Sequence, residues 1–341
     1  DYLDSRKKLH YEPTGNANKI VVPNLSPFEA INMIAKKSVA DKSKGVGYYF
    51  YETTGGYYFR SWQSMITNQG EFARPPRQQF YYQPLKMSSD GNATKQDKIE
   101  REFESVEEYE FVTNFHDVAS NTILGTYGHR VISHDLFNKS YDIADYNFHN
   151  EYRRTPHTDT VKDAKNKFPI SNTPVDYDNR DNVSNYAESR VSLQTTAPFL
   201  HDKDVGKYGL EPLQDGLKTG QAVSQSNQVA HGTALLLTVK GQSYLQAGDL
   251  ITFNLADVNS ANTENPNDPR FSGNYIITKI RHHVTKDQYR MILECAKDSV
   301  ATSYGELGDG YNGADAGFAM NIHTANKSEL ELEEIDSDIG Y

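Results

Sequence analysis

The stretch "YIITKIRHHVTKDQYRMILECA", Tyr275 to Ala296, decides the fold. β-Branched and aromatic residues dominate both halves, which favours strand over helix. The polar "TKDQ" between them reads as a turn, so the stretch is predicted to be an antiparallel hairpin. Neighbouring side chains on a strand point to opposite faces. His282 therefore shares a face with Ile276, Ile280 and Val284, and His283 with Ile277, Lys279 and Arg281. Two adjacent strand histidines cannot close on one metal ion unless a bulge intervenes. The expectation is one half-buried and one solvated imidazole, and no metal.

Working back from the hairpin, "TALLLTVKG" places Leu235, Leu237 and Val239 on one face. "AGDLITFNL" does the same with Ile251, Phe253 and Leu255 after a turn at Gly248 and Asp249. Four strands joined by turns, with no helix between them, predict an antiparallel sheet or barrel. Earlier strand-like runs, "EYEFVTNF", "HRVISHD" and "KSYDIADYNFHN", add to it. The expected barrel is discontinuous, built from 104–150 and 228–302. His129 and His134 fall five apart and face oppositely on a strand, which argues against a metal pair.

The N-terminal hundred residues read as a small α+β domain, 1–100. In "NLSPFEAINMIAKKSV", Ser26 is the N-cap, Pro27 the first helical residue and Glu29 the third, a capping box. Phe28, Ile31, Ile34 and Ala35 recur at helical spacing, which predicts one buried face and a helix stopping at Gly45 or Gly47. "VGYYFYETTGGYYFRSW" is a hairpin around Thr54, Gly55 and Gly56. "RPPRQQFYYQP" is an edge strand, because proline cannot donate to a ladder. Residues 151–227 read as a polar insertion carrying one helix, whose thin apolar face is Leu217, Val223, Val229 and Ala230 and whose stop is Gly232. Residues 303–341 are a Gly-rich, then acidic tail.

Composition narrows the function. With 46 acidic against 35 basic residues, the net charge of -11 disfavours a basic face for nucleic acid. The single Cys295 excludes an intrachain disulfide and a cysteine zinc site, and its alternation with Met291 and Leu293 makes it a core residue. No apolar run is long enough to span a membrane. No phosphate loop, His-Glu-x-x-His or Gly-x-Ser-x-Gly elbow occurs. The expectation is a structural or binding protein, not an enzyme, with no catalytic residues and no cofactor. Tyrosine, at 23 residues, suits sheet faces and wet interfaces.

Three segments resemble, in order, the baseplate hub proteins of contractile-tailed bacteriophages. "KIVVPNLSPFEAINMIAKKS" with "GYYFYETTGGYYFRSWQSM" is similar to their helix-and-hairpin module. "YEFVTNF" with "GTYGHRVISHDLFNKSYDIADYNF" resembles the start of their second tube-forming barrel. "LQAGDLITFNL", "DPRFSGNYIITKIRHHVT" and "YRMILECAKDSVA" resemble its closing strands. The resemblance implies a homotrimer with two barrels per subunit, forming a pseudo-sixfold ring. Such a ring joins the tail tube protein above to the central spike protein below, contacts other baseplate proteins, and lets DNA pass without specific binding. The chain opens at Asp1, and one barrel of the pair is legible, so the resemblance places the first barrel ahead of residue 1. It implies a location in the virion tail, with assembly in the host cytoplasm. The net charge suggests an acidic lumen. The strands expected at assembly interfaces carry Tyr109, Phe111, Phe115, Asp249, Ile251, Phe253, Tyr275, Ile277, Tyr289 and Met291. The competing reading is a tail-associated carbohydrate-binding or cell-wall-degrading component, in which tyrosine faces stack sugars.

Overall fold

The computed structural model of the chain describes residues 6–15, 21–67, 75–82, 101–112, 118–135, 139–152, 155–159, 183–196, 212–231, 233–256, 267–268 and 271–299. Its fold is mixed α+β and mostly strand, around a nearly closed barrel. Six strands form the barrel sheet: β4 (Gln79–Tyr82), β5 (Val106–Phe111), β9 (Thr233–Lys240), β10 (Leu250–Leu255), β11 (Gly273–Val284) and β12 (Tyr289–Lys297). Their spatial order is β4-β10-β11-β12-β9-β5, antiparallel except where β4 lies parallel to β10. A single parallel bridge from Tyr81 to Ser105 brings the two ends together.

The alternation read from the sequence is what fills this barrel. Leu235, Leu237, Val239, Ile251, Phe253, Met291, Leu293 and Cys295 are all fully buried in one cluster. Burying so many alternate positions stabilises each strand only in this register, because a one-residue slip would turn the whole set outward. The β11–β12 hairpin forms as expected, with one departure. Its register shifts between Ile277 and Lys279, so Thr278 is an extra residue whose hydroxyl donates to the Glu294 carbonyl at 3.0 Å. The shift places Tyr275, Ile277 and Ile280 inside while Ile276 faces out of the barrel. His282 thus follows Ile280 but not Ile276, and both histidines are exposed, because the hairpin tip extends beyond the packed interior.

A smaller sheet, ordered β1 (Leu9–Tyr11), β3 (Gly56–Ser61), β2 (Tyr48–Thr53), carries α1 (Pro27–Ala35). The capping box forms as the sequence predicts: Glu29 N–H donates to the Ser26 hydroxyl, and Ser26 N–H to the Glu29 carboxylate at 2.9 Å. The helix ends earlier than expected, at Ala35, and only Ala35 of its apolar stripe is buried; Phe28 and Ile34 remain exposed. Next, α2 (Trp62–Ile66) seats this module on the barrel's outer wall. Trp62, Met65 and Ile66 pack on Leu250, Ile276 and Ala296. β4, expected with the module, pairs into the barrel sheet instead.

Two further strands do not go where the sequence reading placed them. β6 (Gly128–Asp135) and β7 (Ser140–Asn147) form a separate sheet with β8 (Val191–Thr196), in the order β7-β6-β8. β8 comes from the stretch read as a polar excursion. Alternation says which face of a strand is buried but not which sheet receives it. Here the receiver is α5 (Pro212–His231), which covers Val131, Ala144 and Tyr146. The helix meets the sheet with small residues, Gly216, Gly220 and Ser224, all buried, while Leu217 and Val223 are only half-buried. Ser224 donates its hydroxyl to the Thr126 carbonyl at 2.7 Å. Two further short helices are α3 (Val118–Ile123) and α4 (Phe148–Tyr152). Gly232, Phe115 and the 303–341 tail lie outside the described residues.

Candidate assembly surface

The expected interface residues turn out to hold the barrel together. Ile251, Phe253, Tyr275, Ile277 and Met291 are buried in its central cluster, with Tyr109, Phe111 and Tyr289 packed against them. Tyr109 sits edge-on to Tyr82 at 4.5 Å, and Phe111 lies 4.5 Å from Phe271. Asp249 is also buried, accepting from Gln246 N–H at 2.9 Å and Arg77 Nη1 at 2.9 Å, which fixes the turn at Gly248. The side chains buried there pack within their own chain, while Tyr109, Phe111 and Tyr289 are only partly buried. The same alternation that makes these positions conspicuous in the sequence turns them inward.

A larger exposed apolar surface lies on the second sheet. On the β7-β6-β8 sheet, the ladder sets Ile132 opposite Ile143 on one side and Leu193 on the other. Val191 and Tyr141 extend the row on the same face. Leu193 is 69% exposed and Tyr141 66%, while Ile143 and Val191 are also exposed. This is the face turned away from α5. One ionic group crosses it: Arg130 grips Asp145 through two 2.7 Å bonds, and its Nη1 reaches Glu188 at 2.7 Å. The bonds from Arg130 hold the Asp145 carboxyl below the usual carboxylate range. Among the described residues, the outer edges of β7 and β8 are both unpaired.

The small module adds more exposed apolar surface: Leu9, Tyr11, Val21, Val22, Leu25, Phe28 and Ile34. Apolar surface left exposed in the single chain is available for association. The sequence carried this signal in the apolar spacing of α1, which reads as a face seeking cover.

Buried ionisable groups are used for structure. His129 is buried beneath α5, with its Nε2 2.6 Å from the Ser192 hydroxyl. Cys295 is fully buried, and burial pushes its thiol well above the usual range, which makes it an inert core residue. Among the described residues, no three His, Cys, Asp or Glu side chains converge to hold a metal ion. No described helix is long and apolar enough to cross a membrane.

Comparison with family models finds no match, and no curated protein matches either. Among solved structures, the chain is similar to the 43 kDa tail protein of prophage MuSo2 from Shewanella oneidensis. That match has 9% identity and a TM-score of 0.41, and covers 86% of this chain and 59% of the other. It is also similar to a tail protein from Neisseria meningitidis MC58, at 10% identity and a TM-score of 0.40, covering 86% and 61%. The chain thus spans about three fifths of the length of each.

Proposed function

We propose that this chain is a structural component of a phage tail, and within it a subunit of the trimeric baseplate hub. The observation that carries this reading is the β7-β6-β8 sheet, with an uncovered apolar face and two unpaired edges among the described residues. Open strand edges and apolar faces favour association, and a lone soluble chain would have reason to blunt them. The order of the three hub-like segments supports the same reading. In the proposed assembly, three copies form a ring between tail tube and central spike, contact other baseplate proteins, and line the channel for DNA. The ring acts as a joint in the virion and carries no catalytic residue or cofactor.

Native mass spectrometry tests this, on the purified chain alone and mixed with its tube and spike partners. A threefold species in either sample supports the hub. A monomer in both, across concentrations, overturns it.

A further inference from the structure

Lys297 ends β12 inside the protein, 1% exposed. Its Nζ donates to the Ser272 carbonyl at 3.0 Å and lies 4.9 Å from the centre of the Tyr275 ring. The same nitrogen stands 3.6 Å from Oδ2 of Asp159, itself 7% exposed. The two oxygens of Asp159 differ in environment. Oδ1 accepts the Asn274 backbone N–H at 2.8 Å, whereas Oδ2 has no hydrogen-bond partner. The carboxyl is pressed against the start of β11, where a Cβ on Gly273 would stand 2.3 Å from Oδ2. Gly273 also has a φ of +129°, so glycine is required there on two counts.

The segment bearing Asp159 is held firmly. Asp298 accepts from Thr158 N–H at 2.9 Å and from its hydroxyl at 2.8 Å, and pairs with His157 at 2.8 Å. Asp159 N–H donates to the Ser299 hydroxyl at 2.9 Å. Two opposite charges buried this deeply lose most of their hydration. Burial pushes the Lys297 amine down and the Asp159 carboxyl up, so both shift toward their neutral forms. A neutral amine has a free lone pair, and a neutral carboxyl is an electrophile.

We propose that Lys297 and Asp159 join in an intramolecular isopeptide bond, fastening the start of the insertion to the barrel. The Nζ lone pair attacks Cγ of the protonated carboxyl. Negative charge develops on Oδ1, where the Asn274 N–H already points, the arrangement by which a fixed donor lowers an acyl-transfer barrier. The Cγ–Oδ2 bond then breaks. One Nζ proton passes to the departing hydroxyl, which leaves as water. No oxidant or cofactor enters. Confinement in a fixed geometry supplies what is otherwise a slow condensation.

The test is the intact mass of the folded full-length chain after incubation at neutral pH. The expected result is a mass one water below that of the sequence, and a branched peptide joining positions 159 and 297 on digestion. Asp159→Ala and Lys297→Met should each restore the full mass. A full sequence mass in the folded wild-type chain overturns the proposal and leaves an ordinary buried ion pair. A water lost at any other position overturns it equally.

Discussion

Gly220 on α5 lies so close to Tyr146 on β7 that a Cβ on the glycine would stand 2.6 Å from the tyrosine's Cβ. Gly216, one turn earlier, stands in the same relation to Ala144. Alanine is the better helix former by about 1 kcal/mol. Overpacking a tight contact costs about 1–3 kcal/mol, and here the clash involves Cβ atoms that cannot rotate away. Gly220→Ala should therefore destabilise the chain by about 1–2 kcal/mol in urea unfolding. A stabilised variant would mean that helix and sheet are farther apart than this.

Acid should loosen the same junction through His129. Burial, with the Arg190 charge acting in the same direction, lowers the pKa of this imidazole to about 4. Above about pH 6.5 the ring is neutral in both states. Between about 6.5 and 4 the unfolded chain binds a proton that the folded chain refuses, so stability falls as pH drops. The expected loss is on the order of 1 kcal/mol between pH 7 and pH 5. In His129→Gln the contribution should vanish, giving a flatter stability profile over that range.

Trp62 is the main anchor of the small module on the barrel, packed with Leu250 and Ile276. Trp62→Ala should cost about 3–5 kcal/mol, the usual range for a buried large aromatic. Calorimetry should show the module melting ahead of the barrel in the variant. A single unshifted transition would remove Trp62 from that role.

Leu193 and Ile143 face solvent in the single chain. Changing both to serine should alter unfolding stability by no more than about 0.5 kcal/mol each. If the open face is an interface, self-association should weaken by at least about tenfold, or ~1.4 kcal/mol. Sedimentation at several concentrations separates the two effects.

The parts that were legible in the sequence are those with local causes. Ser26, Pro27 and Glu29 set a helix start within four residues, and Thr54 with Gly55 sets a hairpin. Leu235, Leu237 and Val239 announce a strand with one buried face. Long-range choices were not legible. Nothing near Gln79 says that it will pair with Thr252, and nothing in Arg130 to Asp135 says that its parallel partner is Val191 to Thr196. The bulge at Thr278 was hidden because alternation continues through it. α5 was read by its thin apolar stripe, yet its glycines and Ser224 make the contact. As for the candidate surface, the sequence marked apolar strand positions as sticky without telling inward from outward. Only the partner of each strand decides that.

The parallel seam of the barrel also sets an order of events during synthesis. β4 waits for β10, and Val106 to Phe111 of β5 waits for Thr233 to Lys240 of β9. More than a hundred residues must be translated between each pair, which takes on the order of ten seconds on a ribosome. Through that interval the nascent N-terminal half holds strands whose mates do not yet exist. Its early survival depends on local modules such as the capped α1 and the Tyr48–Ser61 hairpin, whose contacts are close in sequence and quick to form.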